Sequence, residues 1–152
     1  MADTIREIII QDFMTRVAAI TILNGYKTEC GKKPFRARKN LDSGDLPAIV
    51  VWPGTEKAES MYGQTKCSMS IRIEGIALFG DENCSVISEK ILGDLKKCIL
   101  SSSWERSPDY IDSIIYAGGG TEEYPEAGQV SIGAAATFDV SYTTKANDPY
   151  SQ

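Results

Sequence analysis

The stretch from Gln129 to Thr144 constrains the fold of this chain more than any other. From Val130 to Tyr142 every even position is apolar (Val130, Ile132, Ala134, Ala136, Phe138, Val140, Tyr142) and every odd position is small or polar. Alternation of period two puts one set of side chains on one face of an extended strand, and a helix would scatter them. Ordering so long a strand costs more than burying its own apolar side chains returns. It therefore requires paired edges and a layer over its apolar face.

The remaining elements supply both. Thr4 and Glu7 fit a capping box for a helix running to about Leu23, with Ile5, Ile8, Ile9, Phe13, Val17 and Ile20 on one face, Arg6, Gln11 and Arg16 pointing away, and Asn24-Gly25 as its stop. Leu46 to Gly54 is a continuous apolar run, the mark of a strand covered on both sides or bordered by another subunit, with Pro47 and Pro53 expected at its ends. Thr55 to Thr65 reads as a long exposed loop. Cys67 to Phe79 is a second long strand, apolar at odd positions around Gly75. Its even positions open polar and turn apolar at Ile76 and Leu78, which implies that something, in a small sheet another chain, covers that end. Gly75 is expected at a bulge or a close backbone contact.

A second helix is predicted over about Ser85 to Leu100, with Ile87, Ile91, Leu95, Cys98 and Ile99 as its stripe and Lys96 and Lys97 where the helix dipole favours cations. Gly93 inside it is expected where another element packs closely. Trp104 reads as a lid on the core. Tyr110 to Tyr116 reads as a strand, and Gly118-Gly119-Gly120 to Gly128 as the loop that joins it to the opening strand. Residues 145–152 lack apolar pattern and are expected to be a flexible tail. Together these elements predict a single domain over 1–152 of the α+β class: two layers, a mixed or antiparallel sheet of about four strands, and two helices packed on one face.

Between the first helix and the Leu46 strand lies a basic arm, residues 26–45, carrying Lys27, Lys32, Lys33, Arg36, Arg38 and Lys39 in a chain whose net charge is -5. It reads either as a solvated loop or edge hairpin, or as an electrostatic dock for an acidic surface. The overall acidity argues against general nucleic-acid binding. No apolar run approaches the length of a membrane span, and the opening residues, with Asp3, Arg6 and Glu7, do not resemble a secretion signal.

The search for chemistry returns no active-site constellation. With no histidine the usual nucleophile-base triads are absent, and four cysteines without a CxxC pair do not form a zinc pattern. Cys30, Cys67, Cys84 and Cys98 are expected as free thiols. The paired carboxylates Glu122-Glu123 and Asp42-Asp45 name no reaction class. The triple glycine leads to a strand, carries Glu122, Glu123 and Glu126, and has no Lys-Ser/Thr after it, so it is not a phosphate cradle. Tyr26 and Phe35 are the only aromatics in the basic arm that could stack on a base. No catalytic, metal-binding or cofactor-binding residue is assigned.

The succession of a helix beginning Ile5-Arg6-Glu7-Ile8, a basic segment, a Leu46-Pro47-Ala48-Ile49-Val50-Val51 strand, a long strand, a second helix and a closing hairpin resembles the tail terminator (tail completion) proteins of long-tailed bacteriophages. The resemblance spans about residues 4–143 and rests on the order of elements. It implies a non-enzymatic virion protein, assembled in the host cytoplasm, that forms a homo-oligomeric ring of six copies. Such a ring caps the tail tube protein, stops its polymerisation and presents a surface to the head-tail connector or neck protein, with the tail sheath as a further partner where the tail contracts. It takes no cofactor or membrane, and the genome passes through it without sequence-specific recognition. A ring needs two different patches that meet on neighbouring copies. Under the resemblance, Lys32, Lys33, Arg36 and Arg38 are one candidate patch, Glu122, Glu123 and Glu126 its opposite, and Ile76 with Leu78 an apolar anchor. A small α+β ligand-binding or regulatory domain, or another neck protein, fits the same elements; a ring of about six copies favours the terminator over the binding domain, for which a monomer or dimer with a ligand-dependent melting shift is expected.

Overall fold

The computed structural model describes residues 3–101, 110–121 and 123–152. The strand that constrained the sequence reading lies inside a five-stranded sheet. The strands are β1 (Pro34–Arg36), β2 (Ala48–Met61), β3 (Gln64–Leu78), β4 (Ser113–Gly120) and β5 (Ser131–Lys145), in the spatial order β1-β2-β3-β5-β4. β1 runs parallel to β2 and every other pairing is antiparallel, so the sheet is mixed. Helix α1 (Ile5–Val17) packs over β1 and β2, and α2 (Cys84–Leu100) over β3, β5 and β4. The predicted α+β class with both helices on one face stands, with one strand more than expected.

β5 is an interior strand, paired on both edges by β3 and β4. Ile132, Ala134, Ala136, Phe138, Val140 and Tyr142 are all buried, as the alternation required. Val130 is the exception: it precedes the strand and is 58% exposed. On the same face β3 contributes Met69, Ile71 and Ile73, and β2 contributes Ile49 and Val51. These meet Ile9, Phe13 and Val17 of α1 and Ile91, Leu95 and Ile99 of α2 in one core. Gly75 faces α2, and a Cβ built on it would stand 2.5 Å from Ile91 Cγ2. The close contact expected of that glycine is therefore present.

Several boundaries differ from the sequence reading for identifiable reasons. α1 is capped by Thr4, whose hydroxyl accepts from the Glu7 amide at 3.0 Å, but it ends at Val17 rather than near Leu23. The Ile20 side chain is turned into the core, and its carbonyl accepts the Gly31 amide at 2.8 Å, a bond that a continuing helix would not leave free. Ile22–Asn24 is a separate 3-10 turn, and Gly25 (φ 91°) stops that turn rather than the helix.

β2 runs on past Pro53. A bulge between Pro53 and Glu56 absorbs the missing amide, and the ladder to β3 resumes at Glu56 opposite Met69. Thr55 to Thr65, expected as a loop, is the outer half of a hairpin, largely exposed, with Glu56 to Met61 paired to β3 around the Tyr62-Gly63 turn. The base of that hairpin is tied to α1: Arg6, expected to point away, donates to the Gly54 carbonyl at 2.6 Å and to Glu56 at 3.3 Å, and the Tyr142 hydroxyl donates to the same Glu56 carboxylate.

The triple glycine is strand rather than loop. A Cβ on Gly119 would sit 2.4 Å from the Ala135 carbonyl oxygen, so only glycine allows β4 this close to β5. Gly93, expected under a packed element, has nothing within 4 Å of a built Cβ. The C-terminal residues, expected to be loose, fold back instead. Pro149 accepts from the Ile5 amide at 2.9 Å, Ser151 from the Lys145 amide at 2.9 Å, and Gln152 donates to the Tyr110 carbonyl at 2.8 Å. Trp104 lies outside the described residues.

Candidate assembly surface

The two charged segments singled out in the sequence lie at opposite edges of the sheet. The basic arm contains β1, the edge strand beside α1, and the acidic loop joins β4 at the far edge to β5. They do not meet within one copy.

The arm is less available than its charge suggests. Arg36 leaves β1 on the helix side and grips Glu7 of α1 with two bonds, at 2.6 and 2.7 Å. Lys32 pairs with Glu29 at 2.5 Å, Lys33 donates to the Gly44 carbonyl at 2.6 Å, and Arg38 pairs with Asp45 at 3.3 Å. Arg38 also lies 4.5 Å from the centroid of the Phe35 ring. Each cation of the candidate patch thus has a partner in its own chain, and the bidentate Arg36 pair has the most demanding geometry. Phe35, weighed in the sequence as a base-stacking residue, is covered by this guanidinium.

The Arg36 guanidinium holds the Glu7 carboxyl below the usual carboxylate range, against a smaller opposing effect of burial. A folded-state pKa below the unfolded one means that the pair stabilises at neutral pH and that this contribution is lost as pH falls through the folded value. Both side chains are partly exposed, which limits the effect to about 0.5 to 1 kcal/mol. Replacing Arg36 with Gln is expected to cost that much in urea unfolding at neutral pH and nothing once the carboxylate is protonated. An equal cost at both pH values would assign the loss to packing instead.

Two sheet faces receive different treatment. The face away from the helices carries Ser, Thr, Gly, Ala and Asp139 from β5 and the Arg72–Glu74 pair from β3, with Leu78 of β3 and Ile115 of β4 at 47% and 60% exposure. Ala48 and Val50 of β2 point to this side and are buried, so the apolar β2 run is covered on both faces as expected. Ile76 is half-buried and differs from Leu78. It lines a cleft of about 230 Å³ with Glu74, Glu123, Tyr124, Pro125 and Gln129, so the chain's own acidic loop shelters it. Glu123 and Ile76 are thus brought together, Glu126 and Leu78 are exposed, and Glu122 lies outside the described residues.

Sequence reasoning missed the most constrained polar residue. Asp94 is buried on the core-facing stripe of α2, and its carboxylate accepts from the Lys27 amide at 3.0 Å, the Thr28 amide at 2.8 Å and the Thr28 hydroxyl at 2.7 Å. The signal was present: Asp94 stands three residues after Ile91 and four before Cys98, on a dry face where a carboxylate must find donors. Next to it, α2 and the Gly25–Lys27 segment bound a groove of about 520 Å³, lined by Val86, Glu89, Lys90, Gly93 and Lys97 together with Gly25 and Lys27.

All four cysteines are free thiols. Burial pushes Cys30 and Cys98 up to about 11 and raises Cys67 as well, which disfavours the thiolate. Among the described residues no group of three or more acidic, cysteine or histidine side chains is placed to hold a metal ion, and no helix is long and apolar enough to cross a membrane. No protein-family model matches the chain, and no curated protein matches it either.

Proposed function

We propose that this chain is a structural tail-terminator protein of a long-tailed bacteriophage, a ring-forming subunit that caps the tail tube, stops its growth and offers the surface to which the head-tail connector joins. The observation that carries the reading is the second sheet face. Helices cover one side only; on the other, Leu78 and Ile115 are exposed at separate places among small residues and the charged Arg72, Glu74 and Asp139, which leaves that side open to contact with another protein. The order of elements along the chain supports the same reading. The function needs no cofactor and no reaction.

The test is tail length. In an otherwise complete tail-assembly system lacking this chain, tubes are expected to grow well past their normal length and to fail to join heads, both visible in negative stain. Tails of normal length that join heads without it would overturn the proposal.

A further inference from the structure

We infer that the acidic loop of one copy docks into the α2 groove of a second copy, a deepening of the ring reading that replaces the basic arm as the loop's partner. The groove combines an apolar floor with a margin of three lysines and one exposed carboxylate, Glu89, while its other carboxylate, Asp94, is buried and occupied by the Lys27 and Thr28 donors. Val86 is 50% exposed there, Gly93 leaves bare helix backbone with open space above it, and Lys27, Lys90 and Lys97 stand around it. Among the described residues Lys27 makes no ion pair, and Lys90 reaches only Glu82, at 3.9 Å. Lys97 is held by its own chain, donating to the Gly25 carbonyl at 3.0 Å and lying 4.8 Å from the centroid of the Tyr26 ring, so Lys27 and Lys90 are the cations open to a partner.

The loop has the complementary make-up: Tyr124, 54% exposed, flanked by the exposed carboxylates Glu123 and Glu126. An aromatic between two anions fits an apolar groove between cations, with the ring as anchor and the charges setting register. Within one chain the two cannot meet. The loop lies over Glu74 and Ile76 on the sheet face away from the helices, and the groove is on the outer side of the helix layer. Joining opposite layers of successive copies is a head-to-tail contact, which propagates to a ring or filament rather than stopping at a dimer. Gly93 also gains a reason here. No packing inside its own chain requires a glycine at that position, whereas a docked loop would approach the backbone closely.

The experiment uses two charge-reversed proteins, K27E/K90E in the groove and E123K/E126K in the loop, each checked for an unchanged melting temperature. Assembled mass is followed by light scattering. Each variant alone is expected to lose at least tenfold in self-association. An equimolar mixture is expected to recover it, because reversed groove meets reversed loop and native groove meets native loop around an alternating ring. If the parent protein assembles and either variant assembles equally well, the docking is wrong while the ring reading survives. If the variants fail and the mixture does not recover, the charges matter without being partners and the docking is again wrong. A parent protein that stays monomeric at millimolar concentration also overturns the docking, leaving the terminator reading to be judged by tail length.

Discussion

Replacing Asp94 with Ala is expected to lower the unfolding free energy by about 3 to 5 kcal/mol, the largest loss for any polar residue in the chain. The carboxylate collects two backbone amides and one hydroxyl from Lys27 and Thr28. Removing it strands three donors at a buried site, at about 1 to 3 kcal/mol for each that water does not reach. For a domain of this size that corresponds to a fall of roughly 10 °C in melting temperature. Asp94→Asn should lose less, since the amide oxygen keeps one acceptor in place while its NH₂ faces the remaining donors. The chain between α1 and β1 hangs on this contact, so hydrogen exchange in residues 26–32 should accelerate before the rest of the fold is affected. A loss below about 1 kcal/mol for the Ala variant would mean that water replaces the carboxylate, and the buried anchor would have to be discarded.

Gly31→Ala should be nearly as damaging, and Gly93→Ala should act in the opposite direction. A Cβ on Gly31 would lie 2.4 Å from the Val17 carbonyl oxygen and 2.7 Å from both the amide and the carbonyl oxygen of Ile20. All three are backbone atoms at the end of α1, none of which can rotate away as a side-chain tip would. Relief requires moving the α1 terminus or the Cys30–Lys32 turn, at a cost of about 3 kcal/mol, the upper part of the usual range for overpacking. The same methyl on Gly93 meets nothing within 4 Å. There it removes the entropic cost of a helical glycine and should stabilise the isolated chain by up to about 1 kcal/mol. Paired urea titrations read both effects. A Gly31→Ala protein as stable as the parent would show that the α1 terminus yields freely. A destabilised Gly93→Ala would point to a contact inside the chain that the structure does not contain.

The contrast between these two glycines shows where sequence reading reached its limit. Gly93 stands in a helical pattern and Gly31 in an irregular one, so pattern alone assigned close packing to the wrong residue. Gly75, set in the middle of a long strand, was read correctly because a gap in an apolar strand face leaves few explanations. The β2 strand was cut short at Pro53 because the bulge that absorbs a proline depends on the partner strand, not on the proline's neighbours. β1 was missed because three residues carry no period, and it exists only because the edge of β2 accepts it. The charges of the basic arm were legible, but their availability was not: whether Arg36 faces solvent or Glu7 depends on α1 lying across β1.

The sequence alone determined the long strand from Ser131 to Lys145, the dry face of that strand, the two amphipathic helices and hence the two-layer class. Each of these follows from periodicity, and periodicity is a local property that survives any arrangement of the rest. Tertiary structure alone decided which cations are neutralised, that the acidic loop shelters Ile76 and leaves Leu78 bare, that Asp94 anchors the segment after α1, and that α2 borders an open groove. Those outcomes depend on residues far apart in the chain, such as Asp94 and Lys27 or Arg36 and Glu7, whose approach is set by how the layers stack; spacing marks Asp94 as a carboxylate on a dry face but does not name its donors.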